Sequence, residues 1–283
     1  MRSAIARIDH VVIGVADLEP AGVRWCRLGF ALTPRGRHIG RETANCCVMF
    51  AGDYLELLGG GPFTGGAPPR REGPCAVAFA PDGPADTARA HLLRLGLHPS
   101  EPERLGRRIE DAEAPATAEF SVVELPADET PGLASFLCEP LTPELLRRPA
   151  WLRHANGALG LDGIDVLVDD TAPLLAAYDR LFGIPAVTTT DAVVTVHAGR
   201  HRIVFSTVDD FCTMHPALVL DPELPLPAIA AIELGVTRIG DTADFFTRQT
   251  IGFTALPDGS LALPATSATG TILIFAEHPL VTR

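Results

Sequence analysis

The opening of the chain switches between two hydrophobic patterns. Residues 8–15 form a nearly continuous apolar run around Asp9 and His10, which predicts a β-strand. Asp17 stands where its side chain can cap an amphipathic helix that reaches Cys26. The stretch "LGF" follows, and three short apolar segments come after it, broken by Gly, Pro or Asp. The order predicts one βαβββ unit.

The same order of elements recurs along the chain. The clearest copy is "LDGIDVLVDDTAPLLAAYDRLFGIP", in which Leu161 and Asp162 occupy the places of Ile8 and Asp9. Weaker copies begin at Cys75 and at Ile229. Because one such unit buries its sheet face only against a second unit, we predict an α+β protein in which four βαβββ units form two domains.

A segment rich in proline and glycine, "PLTPELLRRPAWLRHANGALG", separates the second copy from the third. Turn-forming residues at this density favour a connection between domains. We therefore predict a first domain over residues 1–145, a linker over 146–159 and a second domain over 160–283.

Charge and hydropathy narrow the classes of function. The formal net charge of −12 argues against nucleic acid and against an anionic membrane surface, because both are bound through Lys and Arg. No run approaches the roughly 18 apolar residues of a membrane span, and the first residues lack the pattern of a signal peptide. We expect a cytoplasmic protein, a monomer or homodimer, whose partner is a small-molecule substrate.

The paired units, the histidine in the first strand and the "YLEL" strand together resemble the vicinal oxygen chelate superfamily. That superfamily includes glyoxalases, bleomycin-resistance proteins, fosfomycin-modifying enzymes and extradiol dioxygenases. More narrowly, "IDHVVIGVADLEPAGVRWCRLGF", "GRHIGRETANCCVMFAGDYLELLG" and "LTPELLRRPAWLRHANGA" resemble a glyoxalase-like subfamily. The resemblance implies that two units curl into a cupped mixed sheet. A divalent metal then sits inside, held from the first and last strands of each unit.

Carried onto this sequence, the resemblance implies three metal ligands. His10 lies on the first strand of unit one, Glu56 on its last strand, and Glu139 on the last strand of unit two. The fourth position falls near Val77, which cannot bind a metal. The set therefore has fewer ligands than a glyoxalase, and one histidine fewer than an extradiol dioxygenase.

Strand alternation is consistent with these three residues facing an apolar interior. Each has apolar residues two positions away, as His10 has Ile8 and Val12. A carboxylate buried there needs a cationic partner, and the three strands contain no Lys or Arg. A divalent ion, Mn, Fe(II), Ni, Zn or Mg, is the simplest partner, and Glu56 and Glu139 are the candidate catalytic carboxylates.

Two further residues are candidates for binding the substrate. His38 and Asn45, in "GRHIGRETANCC", lie at positions that recur in the subfamily, where a glycine-flanked loop would place them over the mouth of the cup. A turn or surface role is equally open for both.

The second domain carries Glu233 and Glu277 on its first and last strands, but unit three has Gly163 in the position of His10. We interpret this domain as a degenerate copy of the first.

These features favour a metal-dependent enzyme that acts on a small oxygenated metabolite bound through two oxygen atoms. Because a second histidine is missing, we favour lyase or isomerase chemistry over extradiol-type ring cleavage. The alternatives are a metal-free protein that binds a drug or metabolite, as bleomycin-resistance proteins do, and a catalytically inactive scaffold.

Overall fold

The computed structural model describes residues 3–60, 71–111 and 114–278. It confirms the four βαβββ units. The elements of unit one are β1 (Ile5–Gly14), α1 (Leu18–Arg27), β2 (Gly36–His38), β3 (Ala44–Met49) and β4 (Tyr54–Gly59). Those of unit two are β5 (Gly73–Pro81), α2 (Ala85–Arg94), β6 (Glu103–Ile109), β7 (Ala116–Leu125) and β8 (Ser135–Pro140).

The third and fourth units follow the same order, with one extra helix between them. Unit three has β9 (Ala158–Leu167), α3 (Leu174–Phe182), β10 (Val187–Thr190), β11 (Val193–Ala198) and β12 (His201–Ser206). The extra helix is α4 (Val208–Met214). Unit four has β13 (Ala228–Val236), α5 (Ile239–Arg248), β14 (Thr254–Ala255), β15 (Leu261–Leu263) and β16 (Ile272–Glu277). Among the described residues, no helix has both the length and the apolar character needed to cross a membrane.

The eight strands of the N-terminal half form a closed barrel in the order β1-β4-β3-β2-β6-β7-β8-β5. The two units meet twice, where β1 pairs antiparallel with β5 and where the short β2 pairs antiparallel with β6. The second contact brings His38 opposite Arg107 and converts the expected cup into a barrel. Side chains on its inner face are therefore surrounded by strands.

The C-terminal half has the same strand order but remains an open sheet, β10-β11-β12-β9-β13-β16-β15-β14. Its inner face carries a small apolar cluster around Ala231 and Ile274. Leu218 and Leu220, from the segment after α4, pack against this cluster and against a neighbouring one around Phe211. Part of the face that would form a second cavity is thus covered by the chain itself.

The apolar faces of α1, α2, α3 and α5 pack on the outer faces of the two sheets in one continuous core. Asp17 caps α1 as the sequence predicts, since its side chain accepts a hydrogen bond from the Glu19 amide at 3.0 Å. Trp25 on α1 is buried, and its indole nitrogen donates to Thr269 Oγ1 of the other half at 3.0 Å. The helices therefore join the halves, and both inner faces point away from this core.

Candidate metal site in the N-terminal barrel

The inner face of the barrel brings together the first and last strands of unit one. β1 and β4 pair in parallel, with His10 beside Tyr54 and Val12 beside Glu56. His10 and Glu56 are 2% and 4% exposed. His10 stacks on the Tyr54 ring at a centroid distance of 4.2 Å, and its Nε2 lies 3.5 Å from Glu56 Oε2. Two of the three predicted ligands are thus neighbours in a buried site.

Asp9 fixes the orientation of the His10 ring. The pairing of β1 with β5 shifts in register between Ile8 and His10, and His10 Nδ1 donates to Asp9 Oδ2 at 3.0 Å. Burial by itself would raise the pKa of Asp9, but the hydrogen bond from His10 and the nearby positive charges together lower it. The ionised carboxylate accepts only, so Nδ1 carries the proton and Nε2 is directed at Glu56.

His38 approaches the same carboxylate from β2. Its Nδ1 lies 2.8 Å from Thr43 Oγ1, and its Nε2 lies 3.7 Å from Glu56 Oε1. Burial lowers the pKa of His38 and outweighs the opposing effect of the Glu56 charge, so the ring is neutral at neutral pH. Asn45 Nδ2 lies 3.4 Å from His38 Nε2 and donates to Glu56 Oε1 at 2.5 Å. Because the amide nitrogen of Asn45 only donates, His38 Nε2 accepts from it and is the unprotonated nitrogen of the neutral ring.

His10, His38 and Glu56 therefore form a set of two imidazole nitrogens and one carboxylate, and this donor set fits a divalent transition metal. The nitrogen-to-oxygen separations of 3.5 and 3.7 Å are close to the roughly 3.4 Å between two ligands of a tetrahedral metal. They end on different oxygens of Glu56, however, and a bound ion would draw the two histidines closer together. Asp9 on Nδ1 of His10 matches the carboxylate that commonly orients a metal-bound histidine. The sequence predicted His38 as a substrate contact, but its position fits a metal ligand.

Glu139 does not join these residues. On β8 the side chains of Phe136 and Cys138 face the interior, so Glu139 faces the helices. Its Oε2 accepts a hydrogen bond from the Ala85 amide at 2.8 Å, where α2 begins after Pro84, which has no capping side chain. The placement does not support Glu139 as a ligand of the same metal or as a catalytic carboxylate. The inward-facing positions of β8 are therefore shifted by one residue from those that the sequence predicts.

The other sequence candidates have separate roles. On β5 the inward position opposite His10 is Ala78, next to the expected Val77, and it likewise offers no ligand. Glu233 accepts from Arg202 Nη2 at 2.6 Å. Glu277 accepts from the Ile239 amide at 2.8 Å and caps α5, as Glu139 caps α2. Glu233 and Glu277 are thus each engaged with a different partner.

Asp9, His10 and Cys138 form a more compact group, because their ligand atoms all lie within 4.8 Å of one another, as those of His10, His38 and Glu56 do not, and this group could hold a metal ion. Burial, followed by the charges of Asp9 and Glu56, raises the pKa of the Cys138 thiol well above its usual value. A protonated thiol is a poor ligand, and Asp9 already accepts from His10. The set around Glu56 contains no thiol that must lose a proton, but its three ligand atoms are more widely spaced than those of this group.

A cavity of about 40 Å³ adjoins His10, His38 and Glu56. That volume holds about three water molecules at roughly 10–15 Å³ each. Aromatic rings line much of it, namely those of Tyr54, Phe120 and Phe136. Arg41 and Arg107 are the arginines in the lining. The cavity suits the reacting part of a small, partly polar molecule.

Solved structures with the same fold include a hypothetical protein from Staphylococcus aureus, with a TM-score of 0.67, 9% sequence identity and coverage of 96% of this chain and 99% of that one. A catechol 2,3-dioxygenase aligns with a TM-score of 0.54 at 12% identity over 99% and 96% of the two chains. A variant of 4-hydroxymandelate synthase from Streptomyces coelicolor aligns with a TM-score of 0.53 at 12% identity over 98% and 92%. Identities this low show the fold alone.

The fold and a family comparison place the chain in the vicinal oxygen chelate superfamily, as the sequence predicts. A family model described as "Glyoxalase-like domain" matches residues 8–182, which is more than half of the chain, so the protein belongs to the glyoxalase-like domain family. No curated protein matches the sequence. The matched region contains His10, His38 and Glu56, and it ends with α3 of the third unit.

Proposed function

We propose that the protein is a metal-dependent enzyme of lyase or isomerase type that acts on a small oxygenated metabolite. The observation that carries the proposal is the arrangement of His10 Nε2 and His38 Nε2 against the two oxygens of Glu56. A buried carboxylate facing two imidazole nitrogens is a costly arrangement without a cation between them. Imidazole and carboxylate together suit Zn, Ni, Fe(II) or Mn better than Mg, which prefers oxygen ligands.

The residues around this set hold it in one geometry. Asp9 orients His10 through Nδ1, Thr43 contacts Nδ1 of His38, and Asn45 donates to Glu56 Oε1. When bound, a divalent metal would supply Lewis-acid polarisation of neighbouring substrate oxygens. Glu56 Oε2 lacks the amide contact of Oε1, and in the proposed reaction this oxygen takes a proton from one substrate carbon and returns it to the adjacent one.

Oxygen-dependent cleavage or hydroxylation is a second candidate function, and His38 is the observation that favours it. Two histidines and one carboxylate form the ligand set of many non-haem Fe(II) oxygenases. The sequence argument against this chemistry was the missing second histidine. His38 approaches Glu56 from β2, a different strand from the one the family pattern uses, and so weakens that argument.

Metal binding is the first test of the proposal. Protein freed of its affinity tag and treated with chelator would be titrated with Zn, Ni, Mn and, without oxygen, Fe(II), using calorimetry and elemental analysis. We expect one ion per chain. His10→Ala, His38→Ala and Glu56→Gln should each weaken binding by more than about 100-fold, since losing a ligand costs more than losing its supporting carboxylate. His197→Ala, at an exposed histidine on β11, is the matched control.

Reaction class is the second test. If the protein is a lyase or isomerase, it should exchange carbon-bound hydrogen of its substrate with deuterium from the solvent in the absence of oxygen. NMR would detect this exchange in a panel of hydroxy and oxo compounds. Oxygen consumption only with the Fe(II) form would favour the second candidate. Failure of every metal to bind or to stabilise the wild-type protein would contradict both and leave the metal-free binding protein.

A further inference from the structure

Arg107 is a buried cation that makes no ion pair with any carboxylate of the described residues, although the Glu56 charge in the same cavity helps to raise its pKa. It lies on β6 with 3% of its surface exposed, whereas its strand neighbour Arg108 is exposed. Arg107 lines the same cavity as His10 and Glu56. In residues 3–60, 71–111 and 114–278, no carboxylate oxygen lies within the 4.0 Å of its guanidinium that would make an ion pair.

The hydrogen bonds of Arg107 are far from complete. Nη1 donates to Cys47 Sγ at 3.2 Å, and Nε is buried without a partner in the part of the chain that the structure describes. Burial raises the pKa of the Cys47 thiol to about 12, so at neutral pH this sulfur is an uncharged and weak acceptor. A guanidinium has five N–H donors, and leaving them unpaired in a buried site is unfavourable.

The backbone makes room for this side chain. A Cβ atom added at Gly36 would lie 2.9 Å from Arg107 Cδ and would clash with Asn45 Oδ1. Any larger residue at Gly36 would therefore displace Arg107 or Asn45, which holds Glu56. Phe120 packs beside the guanidinium, with its ring centroid 5.9 Å from Cζ. The guanidinium is thus held against the cavity by packing on β2, β6 and β7.

We propose that Arg107 binds a carboxylate group of the substrate, which makes the substrate class a small hydroxy or oxo carboxylic acid. The planar guanidinium matches the two oxygens of a carboxylate through paired N–H bonds. A cation bound by His10, His38 and Glu56 would add positive charge to the cavity and favour an anion further. The inference rests on the proposed function, because it places the reacting oxygens in the same cavity.

The test measures anion binding directly, in metal-free and in Ni-loaded protein. Pyruvate is the probe, hydroxyacetone is its neutral counterpart, and methylphosphonate represents the phosphate class. Wild-type protein should bind pyruvate more tightly than either. Arg107→Met should weaken pyruvate binding about 10-fold to 100-fold, the range for losing a charge-assisted pair. Arg108→Met, on the outer face of the same strand, should bind as wild type does.

The outcomes separate this inference from the metal proposal. Equal pyruvate affinity in wild type and Arg107→Met, or no preference of wild type for pyruvate over hydroxyacetone in either form, overturns it. Arg107-dependent preference for methylphosphonate overturns the carboxylate assignment. If wild type binds no metal, the metal-free titrations still decide the role of Arg107. Should Arg107→Met fail to fold, Arg107→Lys, which keeps the charge without the planar fork, should weaken pyruvate binding about 10-fold.

Discussion

The two halves of the molecule share one strand order, but the inner face of the first is enclosed by a barrel and that of the second lies on an open sheet. In the N-terminal half the contact of β2 with β6 closes the barrel, and the interior keeps polar groups such as His10, His38 and Glu56. In the C-terminal half the sheet stays open, and Leu218 and Leu220 pack on its inner face. Closure by strands leaves a cavity, whereas covering by a loop fills part of one. The topology alone therefore does not decide whether a half can bind a ligand.

The charged groups differ in the same way. Glu56 faces two imidazole nitrogens, whereas Glu233 on the second inner face is paired with Arg202. One acidic group of the second half has no such partner. Asp165 is 2% exposed, and its Oδ2 makes no hydrogen bond within the described chain. Burial raises its pKa to about 8, and the nearby Glu233 charge adds to the effect.

The largest expected effect comes from removing this carboxyl group. In the folded protein Asp165 stays protonated from pH 6.5 until the pH nears about 8. In the unfolded chain its pKa is near 3.8, so the carboxyl has lost its proton throughout this range. The group therefore lowers the free energy of unfolding as pH rises, by up to about 1.4 kcal/mol per pH unit. Asp165→Asn should abolish this slope in urea unfolding followed over that pH range.

The control for this experiment is Asp258→Asn. Hydrogen bonds from Ser260 lower the pKa of Asp258, so its carboxyl is ionised in the folded and unfolded states throughout the same range. Its slope should equal that of wild type. An unchanged slope in Asp165→Asn would mean that Asp165 is already ionised in the folded protein. The two halves would then not differ in the protonation of their buried carboxyl groups.

An effect of comparable size should follow from Asp9→Asn in the first half. The amide cannot replace the ionised acceptor that orients His10, so metal affinity should fall by about 10-fold to 100-fold without loss of the ion at saturation. Calorimetric titration measures this loss. Asp162→Asn is the counterpart in the second half, where Asp162 pairs with His278 at 2.5 Å. An equal loss of affinity in both variants would contradict a single site in the first half.

Much of the fold follows from the sequence because the repeat is carried by local features. Apolar runs, the cap at Asp17 and the turns after each helix recur in register, and these predict the units and their order. The contact of β2 with β6 was not predicted. β2 is only 3 residues long, and its pairing depends on the position of a strand about 70 residues away in the chain.

The site was predicted in part for a related reason. His10 and Glu56 lie on long or well-defined strands, where alternation identifies the inner face. His38 ends a strand too short for alternation to be recognised, so its approach to Glu56 could not be seen. Arg107 was missed because the sequence "ERLGRRI" has three arginines and only the strand register shows which one points inward. The register error at Glu139 has the same origin.

The smallest expected effects are changes in stability on replacing Glu139 or Glu277. These two residues have the same role in the two halves. Each carboxylate accepts a backbone N–H at the start of a helix whose own N-cap residue makes no side-chain hydrogen bond. Glu139→Ala and Glu277→Ala should each lower the free energy of unfolding by about 1 kcal/mol, the usual cost of a lost cap, and the Gln variants should lose less. Urea unfolding measures the loss. Metal affinity should not change in any of them, and its loss in Glu139→Ala at unchanged stability would restore Glu139 as a metal ligand.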